Sequence, residues 1–237
     1  MQLKISLQNK NHEQVVGELS SALTHQDVVQ LVDFNNGDIF SFYRSIARKL
    51  GKEAMMKENI DGNKTGEVFT EIRFPYRGES KSFSHSDTRQ PFHTDGAYES
   101  NSPQICYFFC KESALFGGST IFIRSHELID ILRLYDSELL HQLKTTEVTF
   151  LKGNDFKKCL IIDHNNNLNW NWYRCDQSLE INLKFHKFLE SKIFDGGLYF
   201  SVKLSPGEAL FFNDSKVLHG RNSFIGARWL VKSGIHV

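Results

Sequence analysis

His93 and Asp95 stand two residues apart in Pro91-Phe92-His93-Thr94-Asp95-Gly96-Ala97-Tyr98. In extended backbone both side chains point to the same face, where they can share one metal ion. A metal held for chemistry needs a further ligand. His219 offers one in Leu218-His219-Gly220-Arg221, just after the apolar run Ala209-Leu210-Phe211-Phe212 and the turn-like Asn213-Asp214-Ser215. Two histidines and one carboxylate form the facial triad of non-haem Fe(II) oxygenases, which leaves three octahedral positions for cosubstrate and dioxygen. An H-x-D tripeptide is weak evidence alone, because such tripeptides arise by chance. Arg228, at the start of the apolar run Trp229-Leu230, is an independent second feature. Its planar guanidinium suits the distal carboxylate of 2-oxoglutarate through paired charge-assisted hydrogen bonds, while the keto acid end chelates iron. Gly117-Gly118-Ser119-Thr120 reads as a tight turn that delivers the Thr120 hydroxyl to a strand, within reach of the same carboxylate.

These residues need strands to hold them. Short strand candidates lie at Val68 to Phe74, Gln104 to Cys110, Thr120 to Ile123, Glu147 to Phe150, Leu168 to Tyr173, Tyr199 to Leu204, Ala209 to Phe212 and Trp229 to His236, with a first strand in Met1 to Leu7. Asp38 is a good N-cap for a helix running to Leu50 before Gly51, with Ile39, Phe42, Tyr43, Ile46 and Leu50 at helical spacing. A second helix is expected from a cap at Ser125 through Leu128, Ile129 and Leu132, and a third holds Ile181, Phe185, Phe188 and Leu189. Asn165-Asn166-Asn167 reads as a hairpin turn. Many strands and few helices predict a mainly β fold with flanking helices (α+β), a jelly roll in preference to an alternating parallel βαβ fold.

At 237 residues, without repeats or a Pro/Gly-rich linker, the chain is expected to form one domain over 1–237. Lys plus Arg number 28 and Asp plus Glu also 28, so no net field favours nucleic acid or an anionic membrane, and a small-molecule partner is expected. The N-terminus lacks the apolar run of a signal peptide or membrane span. Cys106, Cys110, Cys159 and Cys175 show no CxxC pair, which fits a reducing, cytoplasmic setting, and Cys106 and Cys110 share one strand face as buried thiols often do.

The chain resembles the taurine dioxygenase and clavaminate synthase-like branch of the 2-oxoglutarate oxygenases. The resemblance runs from Arg48-Lys49-Leu50-Gly51, through His93-Thr94-Asp95-Gly96 and Gly117-Gly118-Ser119-Thr120, to Leu218-His219-Gly220-Arg221 and Arg228, in order and spacing together. It implies a cupin-like double-stranded β-helix, with His93, Asp95 and His219 as ligands of Fe(II) and Thr120 and Arg228 as binders of 2-oxoglutarate. It also implies oxidative decarboxylation of 2-oxoglutarate with dioxygen to succinate and carbon dioxide, and hydroxylation of an unactivated C–H bond as the default outcome. Asp95 points away from halogenation, since related halogenases have a small residue there to admit chloride. Two departures stand out: the stretch from His219 to Arg228 is short for the family, and Lys232 stands where a second arginine is often seen.

The remaining expectations concern substrate. The polar segment from Tyr76 to Gln90 precedes the metal loop as a closing lid would, and Arg77, Lys81 and Arg89 give it cations for an anionic substrate such as an amino acid. Arg174 and Arg221 can meet substrate or pair with carboxylates. His12, His25, His126, His141, His164, His186 and His236 have no ligand-like spacing and are read as surface groups. A zinc hydrolase and a silent cupin-like binding protein are the rival readings. Arg228 argues against both, because neither needs a buried arginine opposite the metal. Whether the chain forms a homo-oligomer is open.

Overall fold

Strand β6 (Ile105–Glu112) carries two sets of buried side chains, and their alternation sets the layers. Cys106, Phe108 and Cys110 face one way, while Tyr107 and Phe109 face the other. A strand buried on both faces must have a layer on each side. The computed structural model, which describes residues 3–35, 37–56, 65–75, 85–153 and 155–237, supplies both.

β6 pairs antiparallel with β12 (Ala209–Asn213) and β15 (Arg228–His236) at the centre of the larger sheet. Beyond β12 that sheet continues through β2 (Val28–Val32) to β1 (Leu3–Ser6), and β15 also pairs with β3 (Lys52–Glu53) and β4 (Thr70–Phe74). The smaller sheet runs in the order β11 (Phe200–Val202), β8 (Thr120–Arg124), β13 (Val217–Arg221), β5 (Gln90–His93). The two sheets pack face to face: Phe122 of β8 meets Phe212 of β12, and Phe212 meets Phe108 of β6, each with ring centroids 5.3 Å apart. This is the expected jelly roll. Two ribbons complete it, β7 (Phe116–Gly117) with β14 (Phe224–Ile225), and β9 (Glu147–Lys152) with β10 (Asp155–Leu160).

Helices cover both outer faces. α1 (His12–Leu23) and α2 (Ile39–Leu50) lay Val15, Leu19, Tyr43 and Ile46 on the larger sheet. α3 (Ser125–Tyr135), α4 (Ser137–Thr145) and α5 (Glu180–Phe188), the last running into a π-helical turn at Leu189–Phe194, cover the smaller sheet. Asp38 caps α2 by accepting from the Phe40 and Ser41 N–H groups. Asp163 organises the Asn165–Asn167 turn, accepting from the Asn165 and Asn167 N–H groups.

Three expectations change. Ser125 is the first residue of α3 and not its cap, because its hydroxyl donates to the Asn166 carbonyl instead of to the helix. Leu168 to Tyr173 forms no strand: Leu168 makes only an isolated antiparallel bridge with Ile162, its N–H donates to Ser215, and Trp170 exchanges hydrogen bonds with Thr94, so this backbone mainly ties loops together. α1 and α4 are additional, although α1 has a capping box between Asn11 and Gln14 and a buried Val15, Leu19 and Ala22 stripe. Met1 and Gln2 of the first strand lie outside the described residues.

Candidate active site

β5 and β13 are neighbours in the smaller sheet, and their register sets His93 directly opposite His219 with ring centroids 4.3 Å apart. Both imidazoles face the space between the sheets. His93 Nδ1 donates to the Pro91 carbonyl at 2.9 Å, which fixes the tautomer that leaves the lone pair on Nε2, where the Gln90 amide donates at 3.4 Å. Asp95 follows β5 in a turn, and its Oδ1 stands 3.7 Å from His93 Nε2 and 3.6 Å from His219 Nε2. One ligand atom from each of the three residues lies within 4.8 Å of the others. Asp95 Oδ2 is buried and has no hydrogen-bond partner among the described residues. Leaving such an acceptor unmet costs about 1–3 kcal/mol, which a bound cation would offset. Two nitrogens and one carboxylate oxygen fit Fe(II).

The charge states suit a cation. Burial pushes the Asp95 carboxyl up, but Lys232, followed by the two imidazoles, outweighs it and holds the group well below the usual carboxylate range. Burial pushes both His93 and His219 down, so both are neutral near pH ~7. Behind the triad, the carboxyl oxygens of Asp214 accept from the Asp95 N–H at 3.2 and 2.9 Å. Asp214 Oδ1 also stands 3.5 Å from His219 Nδ1, a nitrogen with no well-aligned hydrogen bond among the described residues.

β15 crosses opposite with Arg228, Leu230 and Lys232 alternating on its inner face. Lys232 reaches the triad, its Nζ 2.5 Å from Asp95 Oδ1. Arg228 lies at the other end, 5% exposed, and lines a small cleft with Thr120, Gly118, Cys110, Glu112 and Lys203. Burial first, and Arg221 second, lower the Arg228 guanidinium to about 9, and no carboxylate among the described residues forms an ion pair with it. A buried cation of this kind calls for an anionic ligand. The turn that brings Thr120 there requires glycine: Gly117 and Gly118 have φ of 69° and 72°, and a Cβ on Gly117 would lie 2.1 Å from the Ser223 carbonyl oxygen.

A model of the taurine catabolism dioxygenase TauD, TfdA family matches residues 2–233. The chain belongs to this family. It is a dioxygenase of the TauD, TfdA type, with Fe(II) as cofactor, 2-oxoglutarate as cosubstrate and dioxygen as oxidant. Solved structures of similar fold include an asparagine oxygenase in complex with Fe(II), 2S,3S-3-hydroxyasparagine and succinate (TM-score 0.73, 13% identity, covering 94% of this chain and 79% of that one). PvcB from Pseudomonas aeruginosa has a TM-score of 0.69 at 16% identity and covers 100% of this chain and 86% of its own. The non-haem iron oxygenase OrfP in complex with Fe and alpha-ketoglutaric acid has a TM-score of 0.67 at 13% identity, covering 94% and 80%. No curated protein sequence gives a significant match.

The fold of this TauD, TfdA dioxygenase thus gathers His93, Asp95 and His219 into one cluster and sets Thr120 and Arg228 together in a separate cleft. The expected lid, Tyr76 to Gln90, lies outside the described residues over 76–84, and Arg77 and Lys81 with it. Its described end is pinned down: Arg221 donates to the Ser86 and Thr88 carbonyls at 2.7 and 2.8 Å. Arg89, expected to meet substrate, is instead ion-paired with Glu190 and stacks over Phe194 at 4.0 Å. His12, His25, His126, His141 and His164 are exposed, while His186 stacks on Trp172 at 4.0 Å. Sequence reasoning passed over Asp214 as part of a turn. Its signal was an acid a few residues before a candidate ligand, which means little until the turn is folded behind His219.

Proposed function

We propose that this dioxygenase hydroxylates an unactivated C–H bond of an amino acid or a related small carboxylate. In this reading His93, Asp95 and His219 hold Fe(II), Arg228 and Thr120 hold the far carboxylate of 2-oxoglutarate, and residues 1–237 act as one domain. The observation that carries it is the inner face of β15, which sets a buried arginine with no ion pair among the described residues at one end and faces the His/Asp cluster at the other. That arrangement suits a dicarboxylic keto acid anchored at its far end. Bound Fe(II) with 2-oxoglutarate and dioxygen supplies the oxidant that attacks the C–H bond. The protein's residues hold the two anions apart, keep the imidazoles neutral and exclude water from between the sheets. The amino-acid class is supported by the similarity to an asparagine oxygenase that holds a hydroxyasparagine and to OrfP holding a dihydroxy-L-Arg. The zinc-hydrolase alternative falls with the family match.

Four free cysteines support a cytoplasmic setting, and no helix among the described residues is long and apolar enough to cross a membrane. The test is aerobic incubation with Fe(II), ascorbate, 2-oxoglutarate and the common L-amino acids, following succinate and product mass. One or more amino acids should accelerate succinate formation and gain one oxygen atom. Succinate release that no amino acid or related carboxylate accelerates refutes the substrate class, and no 2-oxoglutarate turnover at all refutes the catalytic reading.

A further inference from the structure

Tyr98 lies three residues past Asp95, in the turn that follows the metal loop, and is 6% exposed. Two remote segments are tied to this turn. The Thr94 N–H donates to the Trp170 carbonyl at 2.7 Å, and the Trp170 N–H donates back to the Thr94 hydroxyl at 3.2 Å. The Leu151 N–H donates to the Arg174 carbonyl at 2.7 Å, which joins the end of β9 to the same segment. Lys152 and Arg174 therefore arrive together. The Lys152 ammonium donates to the Tyr98 phenol oxygen at 3.0 Å and lies 4.8 Å from the ring centroid, and the Arg174 guanidinium carbon lies 6.0 Å from the same ring.

We propose that Lys152 and Arg174, converging on Tyr98 beside the metal loop, form the subsite that receives the α-carboxylate of the substrate. The proposal rests on the amino-acid reading above and deepens it. Lys152 and Arg174 bring two positive groups to Tyr98, where Glu99 and Asp155 also act on the phenol, and Lys232 stands beyond them on Asp95. Burial first, then Arg174 and Lys232, push the Lys152 ammonium down to about 8, with Asp155 pulling the other way. Half-buried like charges raise each other's energy, and a carboxylate between them relieves it. A guanidinium, an ammonium and a phenol also match a carboxylate in shape: a planar fork, a point donor and a hydroxyl. The subsite is separate from the Arg228 cleft, which none of these three residues lines. Substrate and 2-oxoglutarate, both carboxylates, then have different cations and need not compete.

The experiment uses the Fe(II)-loaded enzyme with 2-oxoglutarate and each common L-amino acid. It adds, for the best of them, the primary amine and the carboxamide with the same side chain. Substrate binding is followed anaerobically by calorimetry as well as by turnover. Lys152→Met and Arg174→Gln should each raise the KM and Kd for the amino acid roughly tenfold or more, with Fe(II) affinity within about twofold of the parent. Lys152→Arg, which keeps the charge, should recover most of the loss, and the control Lys158→Met on β10 should leave KM unchanged. The amine should bind at least about tenfold more weakly than the acid. Unchanged KM in both variants, or an amine as good as the acid, overturns the subsite while leaving the amino-acid reading standing. If no amino acid binds or stimulates, both fall together.

Discussion

Lys232 Nζ lies 2.5 Å from Asp95 Oδ1, the same oxygen that faces both His93 and His219. The ammonium thus acts as counter-ion to the carboxylate that a metal ion would claim. Breaking a buried ion pair by removing one partner costs roughly 3–5 kcal/mol. Lys232→Met should therefore lower the Tm of the metal-free protein, and added Fe(II) or Mn(II) should restore it by mass action. Because a cation next to the site opposes a second cation, the variant should also bind Fe(II) about tenfold more tightly. Equal or weaker metal affinity in a folded Lys232→Met protein would show that Lys232 does not compete for Asp95.

Alanine at His93, Asp95 or His219 should each abolish substrate-stimulated succinate formation and cut the iron content of the purified protein. Full turnover with iron bound in any one of these variants removes that residue from the ligand set. With Asp95 in place, chloride should leave the product hydroxylated, and a chlorinated product from the unaltered protein would contradict its role.

Arg228→Ala should raise the KM for 2-oxoglutarate steeply, since loss of a buried charged contact costs roughly 2–5 kcal/mol. Thr120→Val, which removes one hydroxyl, should cost about 1 kcal/mol. Iron binding should stay nearly intact in both. A 2-oxoglutarate KM that does not change in Arg228→Ala would move the clamp to Lys203 or Arg221.

Asp214 accepts the Asp95 N–H and faces His219 Nδ1, so it aims two of the three proposed ligands from behind. Loss of such an outer partner typically costs 10–100-fold in metal affinity. Asp214→Ala should fall in that range and shift the visible band of the Fe(II)–2-oxoglutarate complex. Asp214→Asn, which keeps the acceptor for the Asp95 N–H, should recover most of the affinity. Parent-like metal binding in Asp214→Ala would reduce Asp214 to a loop residue.

Burial holds the folded His93 and His219 below the unfolded value of about 6.5, so on acidification the unfolded chain takes up protons that the folded chain refuses. Their contribution to stability is complete above about pH 6.5 and is lost as pH falls through that range. Asp214 has the opposite sign, since burial and then Asp95 raise its carboxyl, which takes up its proton first in the folded state. In a Tm series on metal-free protein from about pH 7.5 to 5, His219→Gln should flatten the acid loss and Asp214→Asn should steepen it. Identical slopes in parent and His219→Gln would show that His219 is not held neutral by the fold.

The residue types and spacing of His93, Asp95, His219 and Arg228 made the chemistry legible in the sequence, because a facial triad needs one particular donor set and a carboxylate clamp one cation. Helix α2 was legible from Asp38 to Gly51, since a cap, an amphipathic stripe and a stop are all local signals. Leu168 to Tyr173 was not, because its hydrophobic character suits a strand while its hydrogen bonds go to Thr94 and Ser215, which are remote in sequence. The same distance hid Asp214 and Lys152 altogether, and for Lys232 and Arg174, noticed in the sequence, it hid the partners they meet. Each is an ordinary charged residue until sheet register and loop ties bring it to Asp95 or Tyr98. Spacing along one chain determined what could bind metal and cosubstrate. Which charges surround that site, and on which side, was decided by contacts between strands and loops, where pairing depends on the folded whole.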